Sequence, residues 1–375
     1  MNFGAEKTPL TIILPTRNRP ALCRAHLRFL RDNGIRHRII VADSSDVVDD
    51  GLRRLCSGRI TYRRFEPTMR PEAKLIKVAR SVRTPFVAQI TDDDISFPHA
   101  IDACLEHVLR HEDCVVAEGY VLGFRSLAGT IDINRVEWFV PSIAEPTPLR
   151  RLYELMRRYQ PLYWAVSRTD AYIRAMTGAS HENGAIFKEL AFTARMALLG
   201  HSARLPIIQT LRGAERSHTR ASESHPFQWF LRDASSFASS YAAYRRRLIE
   251  FLQDLEASTW QRAGNRLGKL LGIQRDTRDF QQVIDIIHAT YLGREIDREA
   301  LDAAALRLLG DAVSSPAPPA AATPDPAAGD LVRASAVPGR RYVWRRATVD
   351  TGPEVDIGPG ERARVEAALD KYVLD

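Results

Sequence analysis

From Leu10 to Ile90 the chain alternates short apolar runs with stretches at helical spacing, and this rhythm restricts its fold more than any other feature. Leu10–Leu14 reads as a strand ended by Pro15. Pro20 to Asn33 carries Leu22, Leu27, Phe29 and Leu30 at helical intervals, with Gly34 placed to stop it. A second strand is expected at 38–42, a short helix at 48–56, a weaker strand at 60–65, a helix at 71–82 and a buried strand at 85–90. Strands joined through helices in this order lie mostly parallel, with helices covering both faces of the sheet. The spacing further predicts helices at 99–111, 149–158, 169–176 and 187–199, and strands at 115–124, 136–140 and 160–166. From Pro226 to about Leu309 only helices are expected. Residues 314–329, rich in Pro and Ala, read as a linker without a packed core. These patterns divide the chain into an α/β domain (1–222), a helical region (223–312), a linker (313–330) and a C-terminal docking appendage (331–375).

Composition narrows the function classes. With 375 residues, 45% of them hydrophobic, the chain has ample material for a core. No apolar run approaches the ~18 residues of a membrane span, and the N-terminus has no signal-peptide pattern. The four cysteines lack CxxC spacing and read as free thiols of a reducing compartment, which places the protein in the cytoplasm. The net charge of +7 suits an anionic membrane surface or phosphate-bearing partners, or equally reflects a compositional bias toward Arg and Ala; no nucleic-acid-binding motif accompanies it, so nucleic acid is not expected.

Open α/β sheets bind ligands beyond the carboxyl ends of their strands, and three such ends carry polar groups. Pro15-Thr16-Arg17-Asn18-Arg19-Pro20 offers backbone amides at a helix start and two arginines, suited to a phosphate. Asp43-Ser44-Ser45 places a carboxylate where a nucleobase or ribose hydroxyl could bind. Thr91-Asp92-Asp93-Asp94 sets three adjacent carboxylates at the end of a buried strand, where a divalent cation with a phosphate ligand would relieve their repulsion. The alternative is a solvated acidic turn that caps the next helix.

Taken in order, Pro15-Thr16-Arg17-Asn18, then Asp43, then the basic helical segment from Arg70 through Lys74 to Arg80, then Asp92-Asp93-Asp94 with Pro98, the motifs resemble those of the family-2 inverting glycosyltransferases of the GT-A fold. The resemblance covers roughly residues 8 to 215. It implies an α/β, Rossmann-like mixed sheet flanked by helices and followed by an α-helical C-terminal region. It implies donor contacts from Pro15, Thr16, Arg17, Asn18, Asp43, Arg70, Lys74, Asp92 and Asp93. It also implies Mn²⁺ or Mg²⁺ held by Asp92, Asp93 or Asp94, with the register within the triplet open. Lys74 and Arg80 would assist as fixed cations, with solvent-facing helix charges as the commoner alternative. The family places an acidic pair before a helix that contains an Arg and a later Gly; here Lys188-Glu189 precedes Arg195 and Gly200. Glu189 is thus the candidate general base, with Glu182 as rival and a plain helix-start charge as the other reading.

The expected reaction is metal-dependent transfer of a sugar from a nucleotide-diphosphate donor, UDP by default, to a hydroxyl of a glycan or lipid-linked acceptor, in surface glycan or polysaccharide synthesis. A nucleotidyltransferase and a non-catalytic sugar-nucleotide-binding scaffold are the alternatives. The segment Leu211–His218 lacks the Trp found after the base in processive members; Arg212 and His218 are weak candidates there. Trp138, Tyr159, Tyr163 and Trp164 could stack on an acceptor sugar, although core packing is the commoner use of such rings. The run Arg245-Arg246-Arg247, on a helix with Tyr241 and Tyr244, leaves room for peripheral contact with an anionic leaflet, while a solvated or partner-facing helix is the plainer reading.

Overall fold

The computed structural model describes residues 8–127, 129–138, 141–213, 229, 232–262, 277–292, 331–344 and 357–372. The first half runs β1 (Leu10–Thr16), α1 (Pro20–Asp32), β2 (Arg38–Asp43), α2 (Asp50–Leu55), β3 (Ile60–Arg64), α3 (Pro71–Ala79), β4 (Phe86–Gln89), β5 (Ile95–Ser96) and α4 (Pro98–Arg110). Then come β6 (Cys114–Leu127), β7 (Thr130–Trp138), α5 (Pro148–Arg157), β8 (Val166–Arg168), α6 (Thr169–Ala179), α7 (Ala185–Leu199) and β9 (His201–Gly213). Helices α8 (Ala234–Arg262) and α9 (Thr277–Leu292), strands β10 (Leu331–Ala334) and β11 (Arg341–Trp344), and α10 (Pro359–Tyr372) complete the described elements. Pro20, Pro71, Pro98 and Pro148 each open a helix, where a missing N–H costs nothing and the fixed φ is already helical.

One mixed sheet organises these elements in the order β10-β11-β7-β6-β8-β4-β1-β2-β3, with β9 pairing β6 and β5 pairing β9 off that path. β4, β1, β2 and β3 are parallel, as the alternating sequence predicts. The pleat sorts their side chains. Ile13, Ile40, Ala42 and Val87 face α3, α5, α6, α7, α8 and α9, whereas Leu10, Ile12, Leu14, Ile39, Val41, Phe86 and Ala88 face α1, α4 and α10. Both sheet faces are therefore apolar, and the sheet sits between two helical layers. This is the expected GT-A-like mixed architecture, with helices following it in the chain.

Within the α/β domain four strands differ from the sequence expectation, one of them β7, which starts at Thr130 where a strand is expected from 136. β9 is not anticipated because Pro206 interrupts it; the chain bulges there, with the β6–β9 register shifting between Glu118/Arg204 and Tyr120/Ile208. β5 is two residues long, too short for any periodicity. The strand expected at 160–166 shrinks to Val166–Arg168, since Pro161 keeps the preceding residues out of the ladder.

Residues 331–375, expected as a docking appendage, contribute two strands and a helix to this same body. β11 pairs in parallel with β7, and β10 closes the edge. The Tyr342 hydroxyl donates to the Glu366 carbonyl at 2.9 Å, and the Trp344 indole donates to the Glu366 carboxylate at 2.8 Å. Tyr372 meets Phe29 edge-on at 4.8 Å and donates to Asp32 at 2.9 Å, which seats α10 on α1. Among the described residues no helix is long and apolar enough to cross a membrane.

Candidate active site

Three of the parallel strands deliver their carboxyl ends to one place. β1 ends at Thr16 and β2 at Asp43, with the two paired in register, while β4 leads within a few residues to Asp92. The turn after β1 places Asn18 in the left-handed region at φ 55°, a conformation Asn tolerates. Its amide side chain exchanges hydrogen bonds with Asp46, donating at 2.7 Å and accepting at 2.9 Å, and its backbone N–H donates to Ser45 Oγ at 2.8 Å. The turns after β1 and β2 are thus stitched together. Pro15 is half-buried within β1, whereas Arg17 is exposed.

Asp43 is 1% exposed and heavily engaged. One oxygen accepts from the Ser45 N–H at 2.7 Å and from its hydroxyl at 2.5 Å; the other accepts from the Tyr62 hydroxyl at 2.6 Å, with Arg64 at 3.6 Å. Burial and the Asp43 acceptor together raise the Tyr62 hydroxyl well above the ordinary phenol range, so it stays a donor. Lys74, one turn into α3, is buried, and its ammonium donates to the Thr16 carbonyl at 3.0 Å and to Ser44 Oγ at 2.8 Å. Burial pulls it down to about 8, against the pull of the Asp43 and Asp92 charges. Arg70 is exposed at the start of α3, and Arg80 is exposed six residues beyond Lys74.

The acidic triplet does not cap the next helix. Phe97 is the N-cap of α4, without a side-chain cap bond, and β5 lies between it and Asp94. Instead Asp92 and Asp93 turn toward the β1 end. Thr16 donates to Asp92 at 2.6 Å, Arg19 reaches the other Asp92 oxygen at 3.1 Å, and Arg19 also pairs with Asp93. Burial pushes the Asp92 carboxyl up to about 6, resisted by Arg19 and the Thr16 hydroxyl. Asp94 is buried and accepts from the Thr91 hydroxyl at 2.6 Å. Among the described residues no group of three or more His, Cys, Asp or Glu side chains is arranged to hold a metal by itself. A Mg²⁺-type site needs fewer, since such ions bind through one or two carboxylates together with substrate phosphates. Asp93, 17% exposed at its side chain, is the carboxylate of the triplet that reaches solvent, and the all-oxygen donor set fits that kind of ion.

The two rival acids separate cleanly. Glu182 is buried between Arg247, at 2.7 Å, and Arg195, at 3.7 Å, which ties α8 and α7 to the turn before α7. Its carboxylate is engaged with both guanidinium groups. Glu189 lies in the second turn of α7, beyond the reach of most helix-dipole stabilisation, and accepts from the Tyr159 hydroxyl at 3.1 Å. Burial raises its carboxyl above the ordinary range, while Tyr159 and the charge of Arg212 pull it back. Arg212 lies on β9 beside Leu211, which pairs with Ile95 directly after the triplet, so Glu189 and the acidic turn flank one strand end. Lys188, where the family resemblance implies an acid, pairs with Glu72 of α3 at 3.1 Å.

The remaining candidates divide. Arg212 stacks its guanidinium over Trp164 at 5.7 Å, and Tyr163 stacks on Phe192 at 4.8 Å, a packing role. His218 lies outside the described residues, as does the side chain of Trp138. Tyr244 donates toward His288 at 2.8 Å and Tyr241 to Asp285 at 2.9 Å, so both rings pack α8 against α9. Arg245, Arg246 and Arg247 pair with Asp285, Glu250 and Glu182, which leaves no unneutralised basic stripe from that run. Sequence reasoning did not single out Arg19, Tyr62 or Tyr159 as partners of the acids, because each pairing joins residues distant in the chain.

Residues 11–170 match the family described as Glycosyl transferase family 2. This segment is a family-2 glycosyltransferase domain. The glycosyltransferase match spans β1 to the start of α6 and includes the Thr16, Asp43 and Asp92 ends, while Glu189 lies beyond it. No curated protein matches the chain. Among solved structures, the chain is similar to S. aureus TarS 1-349, with 13% identity over 80% of this chain and 88% of that one, at a TM-score of 0.41. The UDP complex of the same fragment gives 14% identity over 78% and 82% of the two chains at 0.41, and its UDP-GlcNAc complex 11% over 80% and 91% at 0.40.

Proposed function

We propose that this glycosyltransferase moves a sugar from a nucleotide-diphosphate donor to an acceptor hydroxyl, with inversion and with the aid of a divalent cation. The observation that supports the reading is that the Asp43 cradle and the Asp92–Asp94 turn lie at the carboxyl ends of β1, β2 and β4, with Glu189 facing Arg212 of the strand that pairs with the residues after the triplet. In this reading Asp43, held by Ser45 and Tyr62, presents its carboxylate to the nucleobase, with Arg70 and Arg17 on the solvent side. Lys74 and the Pro15–Asn18 turn form the floor beneath the nucleotide. Asp93, the carboxylate of the triplet that reaches solvent, and its neighbour Asp94 would hold Mn²⁺ or Mg²⁺. When bound, that ion supplies Lewis-acid stabilisation of the negative charge on the departing diphosphate.

Glu189 takes the proton of the attacking acceptor hydroxyl as that oxygen approaches the anomeric carbon from the face opposite the leaving group. Burial raises its affinity for a proton, the direction that strengthens a carboxylate as a general base. Tyr159 orients the carboxylate through its hydroxyl. The family resemblance makes a UDP-sugar the expected donor, and a glycan or lipid-linked glycan the expected acceptor.

The test is turnover. Purified protein incubated with Mn²⁺ and a panel of nucleotide sugars should release UDP from one of them by slow hydrolysis, and EDTA should stop the release. Binding of a donor with no release under any condition would favour a sugar-nucleotide-binding scaffold. Release of pyrophosphate from a nucleoside triphosphate and a sugar phosphate would favour a nucleotidyltransferase.

A further inference from the structure

We propose that His26 is a positioning residue of the donor site: its imidazole clasps both ends of the turn that carries Asp92, Asp93 and Asp94. His26 lies on α1 and is 3% exposed. Its Nδ1 is 2.8 Å from the Thr91 carbonyl oxygen, and its Nε2 is 3.0 Å from the Ser96 amide nitrogen. A carbonyl can only accept and an amide N–H can only donate, so these partners dictate the tautomer. Nδ1 carries the proton and Nε2 offers its lone pair. An imidazolium would set two N–H groups against each other at Ser96, so only the neutral ring closes the clasp. Burial pulls its proton affinity down to about 4, which keeps the ring neutral across the working range.

The turn needs an external brace. It leaves the sheet after Ile90, whose N–H still donates to the Ile13 carbonyl, and rejoins it at Ile95–Ser96 against β9. Between these anchors three neighbouring carboxylates repel one another. His26 fixes the backbone at either side of them, while Thr16 and Arg19, from the turn that leads into the same helix, fix Asp92 and Asp93. Thus α1 and its leading turn set the triplet by main chain and by side chain together. Such outer contacts orient the groups that meet a metal, and their loss typically costs about 10–100-fold in metal affinity.

The consequence for donor binding rests on the function proposed above, whereas the clasp itself can be measured without it. His26→Leu removes both ring nitrogens, and His26→Gln restores one donor and one acceptor on a flexible stem. Both full-length variants are compared with the wild type by thermal melting, by hydrogen exchange over residues 90–97, and by calorimetric binding of UDP with Mn²⁺ well below either melting point. In His26→Leu the turn should exchange faster, and UDP should bind about 10–100-fold more weakly in the presence of Mn²⁺; His26→Gln should fall between. Lowered melting with unchanged exchange and unchanged UDP affinity would overturn the proposal, since it would make His26 a packing residue alone. If the wild type itself ignores UDP and Mn²⁺, the donor reading fails, and exchange alone then decides the clasp: faster exchange upholds it, unchanged exchange rejects it.

Discussion

Glu182 and Glu189 stand seven residues apart, and replacing each by Gln should damage the protein in opposite ways. The Glu182 carboxylate neutralises Arg195, whose side chain is 3% exposed, and Arg247, whose side chain is 28% exposed. Gly178 shapes this site as well, because a Cβ there would stand 2.3 Å from the Arg195 guanidinium. Glu182→Gln keeps the volume and one acceptor but strands the Arg195 charge away from water. Removing one partner of a buried pair costs about 3–5 kcal/mol, and the retained amide puts this case near ~3 kcal/mol. Arg247 reaches solvent and adds little. At roughly 2–4 °C per kcal/mol for a domain of this size class, Tm should fall by about 6–12 °C, while turnover measured well below Tm stays close to wild type. Glu189→Gln should leave Tm nearly unchanged and cut kcat by about 10²–10⁴-fold, the usual worth of a general base. UDP release and differential scanning fluorimetry on the same preparations read both effects. Loss of turnover with an unaltered Tm in Glu182→Gln, together with an active Glu189→Gln, would refute the assignment and make Glu182 the base.

Two further predictions follow from the same geometry. Tyr159→Phe removes the hydroxyl that steadies the Glu189 carboxylate, so Glu189 should hold its proton to higher pH, and the acid limb of kcat/KM should move upward; an unmoved limb in a pH–rate profile would disconnect Tyr159 from the base. Asp43→Asn keeps the shape of the cradle but loses its charge, and should weaken UDP binding by about 1.5–3 kcal/mol, roughly 10–150-fold, in a calorimetric titration.

Much of this arrangement is legible in the sequence, for reasons that lie in periodicity. The strands that end at Thr16, Asp43 and Gln89 are apolar on both faces, so they stand out as unbroken runs, and the acids just past them fall at the sheet edge where ligands bind. What the sequence hides is pairing at a distance. Nothing near Arg19 says that it will meet Asp92 and Asp93, and nothing near Tyr62 says that it will serve Asp43, because those contacts exist only once β1, β2, β3 and β4 are side by side. Glu182 shows the same limit: its turn, His181-Glu182-Asn183-Gly184, looks as suited to chemistry as the Glu189 helix until Arg247 arrives from α8. The strands of the C-terminal region were hidden differently. Leu331–Ala334 and Arg341–Trp344 are four residues each; they pair with each other, and the second partner of Arg341–Trp344, β7, ends near residue 138.

That last pairing bears on how the protein is made. While a ribosome is still producing the chain, β7 emerges about 200 residues before β11, and at ~5–20 residues per second the delay is roughly 10–40 s. Throughout that interval the outer side of β7 is an open template, the sort of edge that invites pairing with another nascent chain. Truncation before residue 331 should therefore lower soluble yield, because the residues it removes shield the flank of the sheet and, through α10, cover α1.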